Sequence, residues 1–173
     1  MTTSRTAQAG FTLIELLIVV AIIGVIGAMA MPQYGRVRMS GNETAAIASL
    51  RALGAAQASF YGSCGGQGFA PSLQALTTPP PNSAVAFVSE DLASGTKQGY
   101  SFTISDGGAP QVLPQASTCN NVANSHAGYF MSAQPQDPGS SGVRYFATNH
   151  TGVIKESNDA ITVANFASAR VSQ

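Results

Sequence analysis

From Phe11 to Met31 the chain reads FTLIELLIVVAIIGVIGAMAM, twenty-one residues with one charge, Glu15. A helix of that length covers about 30 Å, the thickness of a bilayer's hydrocarbon core. A soluble protein could hide such a segment only by wrapping it on every side. The remainder of the chain, rich in Ala, Ser, Thr, Gly, Gln and Asn, has too little apolar material for that. A cleavable secretory signal is the sharper rival, with Arg5 as its basic start and Ala28-Met29-Ala30 as a small-x-small cleavage site. Against it stand a long apolar stretch and an ionisable Glu15, from which an ordinary signal gains nothing.

Beyond Pro32 helical periodicity returns, with Ala46, Ile47, Leu50, Leu53, Phe60 and Tyr61 at three- and four-residue spacings on one broad face. Pro32 kinks a long helix without ending it, so the membrane segment and this amphipathic helix read as one element. Ser40 to Glu43 has the S-x-x-E form of a capping box, which suggests a local break beside Gly41. Gly62 and the run Cys64-Gly65-Gly66-Gln67-Gly68 stop the helix. Residues 63–98 read as a long connection with a helical turn at Ser72 to Leu76, punctuated by Pro71, Pro79-Pro80-Pro81 and Gly95.

Strand signals follow. Tyr100, Phe102 and Ile104 alternate with polar residues, and Tyr129 to Ala133 is a second candidate. Val143 to Thr148 and Val153 to Glu156 flank Asn149-His150-Thr151-Gly152 and read as a hairpin. The tail from Asn158 carries no clear pattern. The fold class is α+β: a long N-terminal helix, membrane-spanning in its first half and amphipathic in its second, packed on a small antiparallel β-sheet.

Arg36 and Arg38 follow the apolar segment while Arg5 precedes it, so counting basic residues favours a cytoplasmic C-terminus. Cys64 and Cys119 argue for the opposite side. Both stand in polar Gly- or Asn-rich loops and read as one disulfide formed in an oxidising compartment, with two unrelated free thiols as the alternative.

Gly10-Phe11-Thr12-Leu13-Ile14-Glu15, the unbroken apolar run and Pro32 together resemble the N-terminus of type IV pilins and of the pseudopilins of type II secretion. The resemblance is strong over residues 8–35. It implies that residues 1–10 are a leader cut between Gly10 and Phe11 on the cytoplasmic side by a prepilin peptidase, leaving N-methyl-Phe11. It also implies residues 11–31 as the transmembrane and assembly helix, 32–62 as the amphipathic helix and 63–173 as the globular part. The protein would then be a single-pass inner-membrane subunit with a periplasmic C-terminal domain. An assembly platform and its ATPase would draw it into a homopolymer, as a pilus on the cell surface or a periplasmic pseudopilus. Glu15 lies near water at the cytoplasmic interface, or, as the resemblance implies, its carboxylate meets the amine of Phe11. The preferred reading is a pilus subunit; a major pseudopilin of a type II secretion system is the alternative.

Other chemistries find little support. No nucleophile, P-loop or H-x-x-x-H pattern is present, and His126 and His150 stand apart in loops, so neither an enzyme nor a cofactor is expected. The acidic residues Asp137, Glu156 and Asp159 do not cluster as a calcium site would need, and a zinc site using the cysteines explains less than a disulfide does. Charged residues make up 9% of the chain, eight basic against eight acidic, without a basic run, so a DNA-binding minor pilin is less favoured and no nucleic-acid partner is expected. Asn42-Glu43-Thr44 and Asn149-His150-Thr151 match a glycosylation pattern that arises often by chance.

Overall fold

The structure, a computed structural model, describes residues 10–81 and 83–172, with residues 30–32 described by backbone alone. Residues 1–9, most of the expected leader, lie outside the described part. Helix α1 spans Leu13–Ser63. Two compact units divide the chain at Val37 and Arg38.

In the first unit α1 from Leu16 to Met29 is apolar on all sides, and no described residue covers it. Leu13, Ile14, Leu16, Ile22, Ile23 and Ile26 are all more than half exposed. Side chains of this kind gain about 1.5–3 kcal/mol each when fully buried, and the described fold leaves that gain unrealised here. By length and composition no single described helix is long and apolar enough to cross a membrane; Leu13–Met29 and Gln33–Ser63 meet the test only together.

The second unit is built on the later part of α1. Ala46, Leu50, Leu53 and Phe60 are buried, as the periodicity predicts, but Tyr61 is 38% exposed. It lies against Phe69 at the margin, ring centroids 4.9 Å apart, because position 61 falls one step round the helix from Phe60. The buried stripe instead includes Glu43, Gln57 and Cys64, which with the apolar four repeat at alternating intervals of three and four. The break expected at Ser40–Glu43 does not occur. Glu43 is a side chain of an unbroken helix, committed to a distant partner rather than to a local cap.

The stripe packs on an antiparallel six-stranded sheet in the order β1-β2-β5-β6-β7-β8. Its strands are β1 (Thr96–Lys97), β2 (Tyr100–Ser105), β5 (Phe130–Pro135), β6 (Tyr145–Asn149), β7 (Lys155–Ser157) and β8 (Arg170–Val171). The hairpin expected around Asn149–Gly152 is β6–β7, in register Tyr145↔Ser157. The expected second strand is β5, which pairs with β2 through Tyr100↔Pro135 and with β6 through Phe130↔Asn149. The patternless tail closes a small second cluster, in which Ile161, Phe166 and Ala169 cover Phe130 and Ala147 on one face of the sheet. Phe130 and Phe166 meet edge to face at 5.8 Å.

The long connection holds α2 (Leu73–Thr77), capped by the Ser72 hydroxyl accepting from Ala75 N–H at 3.3 Å, and α3 (Glu90–Ala93). A second, two-stranded sheet of β3 (Gln111–Leu113) and β4 (Ser125–His126) lies beyond β2 in the chain. Cys64 and Cys119 form a disulfide with Cα atoms 4.6 Å apart, and Cys119 N–H donates to Cys64 C=O at 3.2 Å. This bridge closes a loop of 55 residues in sequence. In the chain-entropy model such a closure contributes about 4 kcal/mol. We expect Cys64→Ser/Cys119→Ser to lose about that much unfolding free energy in urea titration, and reductant to lower wild-type stability while leaving the variant unchanged. Equal stability of the two under oxidising conditions would refute the contribution.

Candidate functional site

Gly10 and Phe11 are exposed ahead of α1, with Phe11 81% exposed. The next residues form an N-terminal capping box. One Glu15 carboxylate oxygen, Oε2, accepts from Thr12 N–H at 3.0 Å and from the Thr12 hydroxyl at 2.6 Å. Glu15 N–H donates back to Thr12 Oγ1 at 3.3 Å. Reciprocal bonding satisfies two backbone donors that the first helical turn leaves without partners. It also draws the carboxylate back to the residue adjoining Phe11. The T-x-x-E spacing of Thr12 and Glu15 is as legible in the sequence as the S-x-x-E of Ser40 and Glu43, and it is the former that makes the cap. Glu15 therefore has a local structural role beside any role in assembly. At Pro32 the helical backbone of α1 continues.

In the second unit three polar side chains on the buried stripe fasten α1 to the rest of the domain. Nearest the start of this unit, Glu43 Oε1 accepts from Val143 N–H at 2.9 Å and from Arg144 N–H at 3.1 Å. Its Oε2 takes Arg144 Nε and a terminal guanidinium nitrogen, each at 2.8 Å. Arg144 reaches on to Glu156 Oε2 at 2.8 Å, and its carbonyl accepts from the Tyr100 hydroxyl at 2.8 Å. Burial pushes the Glu43 carboxyl up, but the two N–H groups and the guanidinium outweigh it and hold the carboxyl below the usual range. Burial also raises the Arg144 neighbour Tyr100, whose phenol stays protonated.

Midway along the stripe, fully buried Gln57 pairs with the backbone of one residue: its Nε2 donates to Ala70 C=O at 2.7 Å and its Oε1 accepts from Ala70 N–H at 2.9 Å. At the far end Cys64 supplies the covalent tie. Leu50, Leu53 and Phe60 could slide by a turn on an apolar sheet at modest cost; an ion pair, a two-point amide contact and a disulfide cannot. The helix is thereby held in one register on its sheet.

His126 Nδ1 has one Asp106 carboxylate oxygen 3.6 Å away and no second acidic partner among the described residues. His126 Nδ1 lies 2.9 Å from Ala109 C=O, and among the described residues no group of three His, Cys, Asp or Glu could hold a metal ion.

Residues 5–31 match the family model described as the prokaryotic N-terminal methylation motif. The type IV major pilin protein PilA of Myxococcus xanthus is 48% identical over 52 residues, which cover 30% of this chain and 24% of PilA. A fimbrial protein of Pseudomonas aeruginosa is 53% identical over 47 residues, 27% of this chain and 30% of its own length. The type IV major fimbrial protein FimA of Dichelobacter nodosus is 67% identical over 30 residues, 17% of this chain and 19% of FimA. The chain thus spans less than a third of the length of the curated relatives it matches. No solved structure matches it. The resemblance read from Gly10 to Glu15 is borne out: this N-terminal segment carries the methylation motif and is similar to that of type IV major pilin and fimbrial proteins.

Proposed function

We propose that the chain, pilin-like in its N-terminal segment, is a structural subunit of a type IV pilus-like filament. One observation carries this reading most directly: from Leu13 to Met29 α1 exposes apolar side chains on every face, and among the described residues nothing covers them. Such a surface needs lipid before assembly and other copies after it. Repeated contact through one end of each subunit is a heterologous association that does not close on itself, and so grows as a filament. In this reading residues 1–10 are a leader, residues 11–31 anchor the monomer in the inner membrane, and the fastened domain from Arg38 onward becomes the filament's outer part.

Processing is the first step that this reading requires. A prepilin peptidase cuts after Gly10, where no side chain obstructs the scissile bond, and Phe11 is then methylated. An assembly platform with a cytoplasmic ATPase supplies the work of extracting so apolar a segment from the bilayer. The mature protein is expected to begin at N-methyl-Phe11, as read by intact mass and N-terminal sequencing of the membrane-extracted chain. A mature chain starting at Met31 would establish a discarded secretory signal and remove the filament reading with it.

A further inference from the structure

The domain carries a polar cleft of about 550 Å³ that none of the contacts described above uses. Arg38 lines one side and the turn Gln98-Gly99 and Ser140-Ser141 the others. Its form is fixed by two features. Asn42 Nδ2 donates to Ser141 C=O at 2.8 Å, joining helix to loop. Gly99 has φ +75°, and a Cβ there would lie 2.7 Å from Ser141 Cβ, so only glycine lets the turn approach so closely. No carboxylate lines the cleft. Arg38, Gln98 and Ser140 are exposed in the cleft, whereas Lys97 and Arg144 are paired with acidic groups. A cleft offering a cation and two neutral polar groups, with no negative charge, is complementary to an anion.

Its place in the chain selects which anion. Arg38 stands seven positions beyond Met31, so the chain can carry it no more than about 25 Å from the end of the apolar run whatever path it takes. A headgroup layer occupies several ångströms outside the hydrocarbon, and an arginine side chain can reach back toward it. We propose that this cleft binds the phosphate of an acidic phospholipid headgroup in the leaflet facing the domain while the monomer waits in the membrane. This rests on the membrane-anchored reading of residues 11–31. It also gives a reason for arginine on the side of the segment where counting basic residues would not put it. Transfer into a filament must then release the lipid from the cleft, so occupancy distinguishes stored monomers from assembled ones.

The test uses the full chain. Flotation with vesicles of phosphatidylcholine containing phosphatidylglycerol reads anchoring, and native mass spectrometry of the detergent-extracted chain with equal amounts of the two lipids reads the cleft. Wild type is expected to float and to retain phosphatidylglycerol over phosphatidylcholine by about fivefold. Arg38→Gln should float equally and lose that preference, and Arg38→Lys should keep part of it. Arg36→Gln removes the same charge two positions away in the chain but outside the cleft, and should keep most of it. Flotation without a lipid preference, or an equal loss in the Arg36 and Arg38 variants, would overturn the cleft assignment alone. Failure to float would overturn the anchor and the cleft together. Unchanged lipid retention in Arg38→Gln, with fewer copies per particle, would assign the cleft to a carboxylate of a second copy and overturn the lipid proposal.

Discussion

Replacing Glu43 by Ala is expected to lower the unfolding free energy of the domain by about 3 kcal/mol, the lower end of the range for breaking a buried ion pair. The Glu43 side chain is 7% exposed, and its removal strands the Val143 and Arg144 N–H groups as well as the guanidinium. Arg144 is 35% exposed and keeps Glu156, which limits the loss. Urea titration of the full chain in detergent, followed by far-ultraviolet circular dichroism, measures it. A change below about 0.5 kcal/mol, typical of a surface substitution, would show that the clamp contributes nothing.

Acid gives an independent check with a definite sign. Because the folded Glu43 carboxyl is held below its unfolded value of about 4.3, its contribution is complete above that pH. It is lost as pH falls through the lower folded value. The difference between wild type and Glu43→Ala should therefore be constant near neutrality and shrink in acid. A difference that grew on acidification would contradict the assignment of charged Glu43 to this clamp.

Glu15→Val is expected to leave the protein processed, inserted and folded, yet to reduce filament yield sharply when it is the only subunit present. After cleavage a positive amine appears on Phe11, next to the residue that already holds the Glu15 carboxylate. Opposite charges attract more strongly in a dry filament core than in water, so the pair would fix subunit register where apolar side chains alone could slide. Valine removes cap and charge together. Glu15→Gln separates them, because glutamine can keep the reciprocal bonds to Thr12 while losing the charge. Both variants should assemble poorly, as measured by shearing and electron microscopy. Normal yield from Glu15→Gln would assign the residue to helix capping and refute its charge role; normal yield from both would remove any role in assembly.

Local signals in the sequence determined a good deal. The apolar run from Phe11 to Met31 decides for itself that α1 begins as an uncovered helix, since hydrophobicity on every face needs no partner to be read. Alternation at Tyr100 to Ser105 and the turn residues at Asn149 to Gly152 likewise placed β2 and the β6–β7 hairpin, because period and turn chemistry act over a few residues. Even the pairing of Cys64 with Cys119 needed little more than their count.

Only the tertiary structure decided where the polar residues of α1 go. Ser40 to Glu43 carries the spacing of a capping box, but a carboxylate takes the best donors within reach. Folding brings Val143 and Arg144, about a hundred positions away, closer to Glu43 than any vacant helix terminus. Gln57 reads as a polar interruption of an apolar face until Ala70 offers both its backbone N–H and its C=O to pair with it. The tail from Asn158 has no period because it forms no long element; its apolar residues are spaced to meet Phe130 and Ala147, whose positions the sheet sets. Periodicity registers the geometry of a segment's own backbone, whereas these three contacts depend on surfaces that exist only once distant strands have paired.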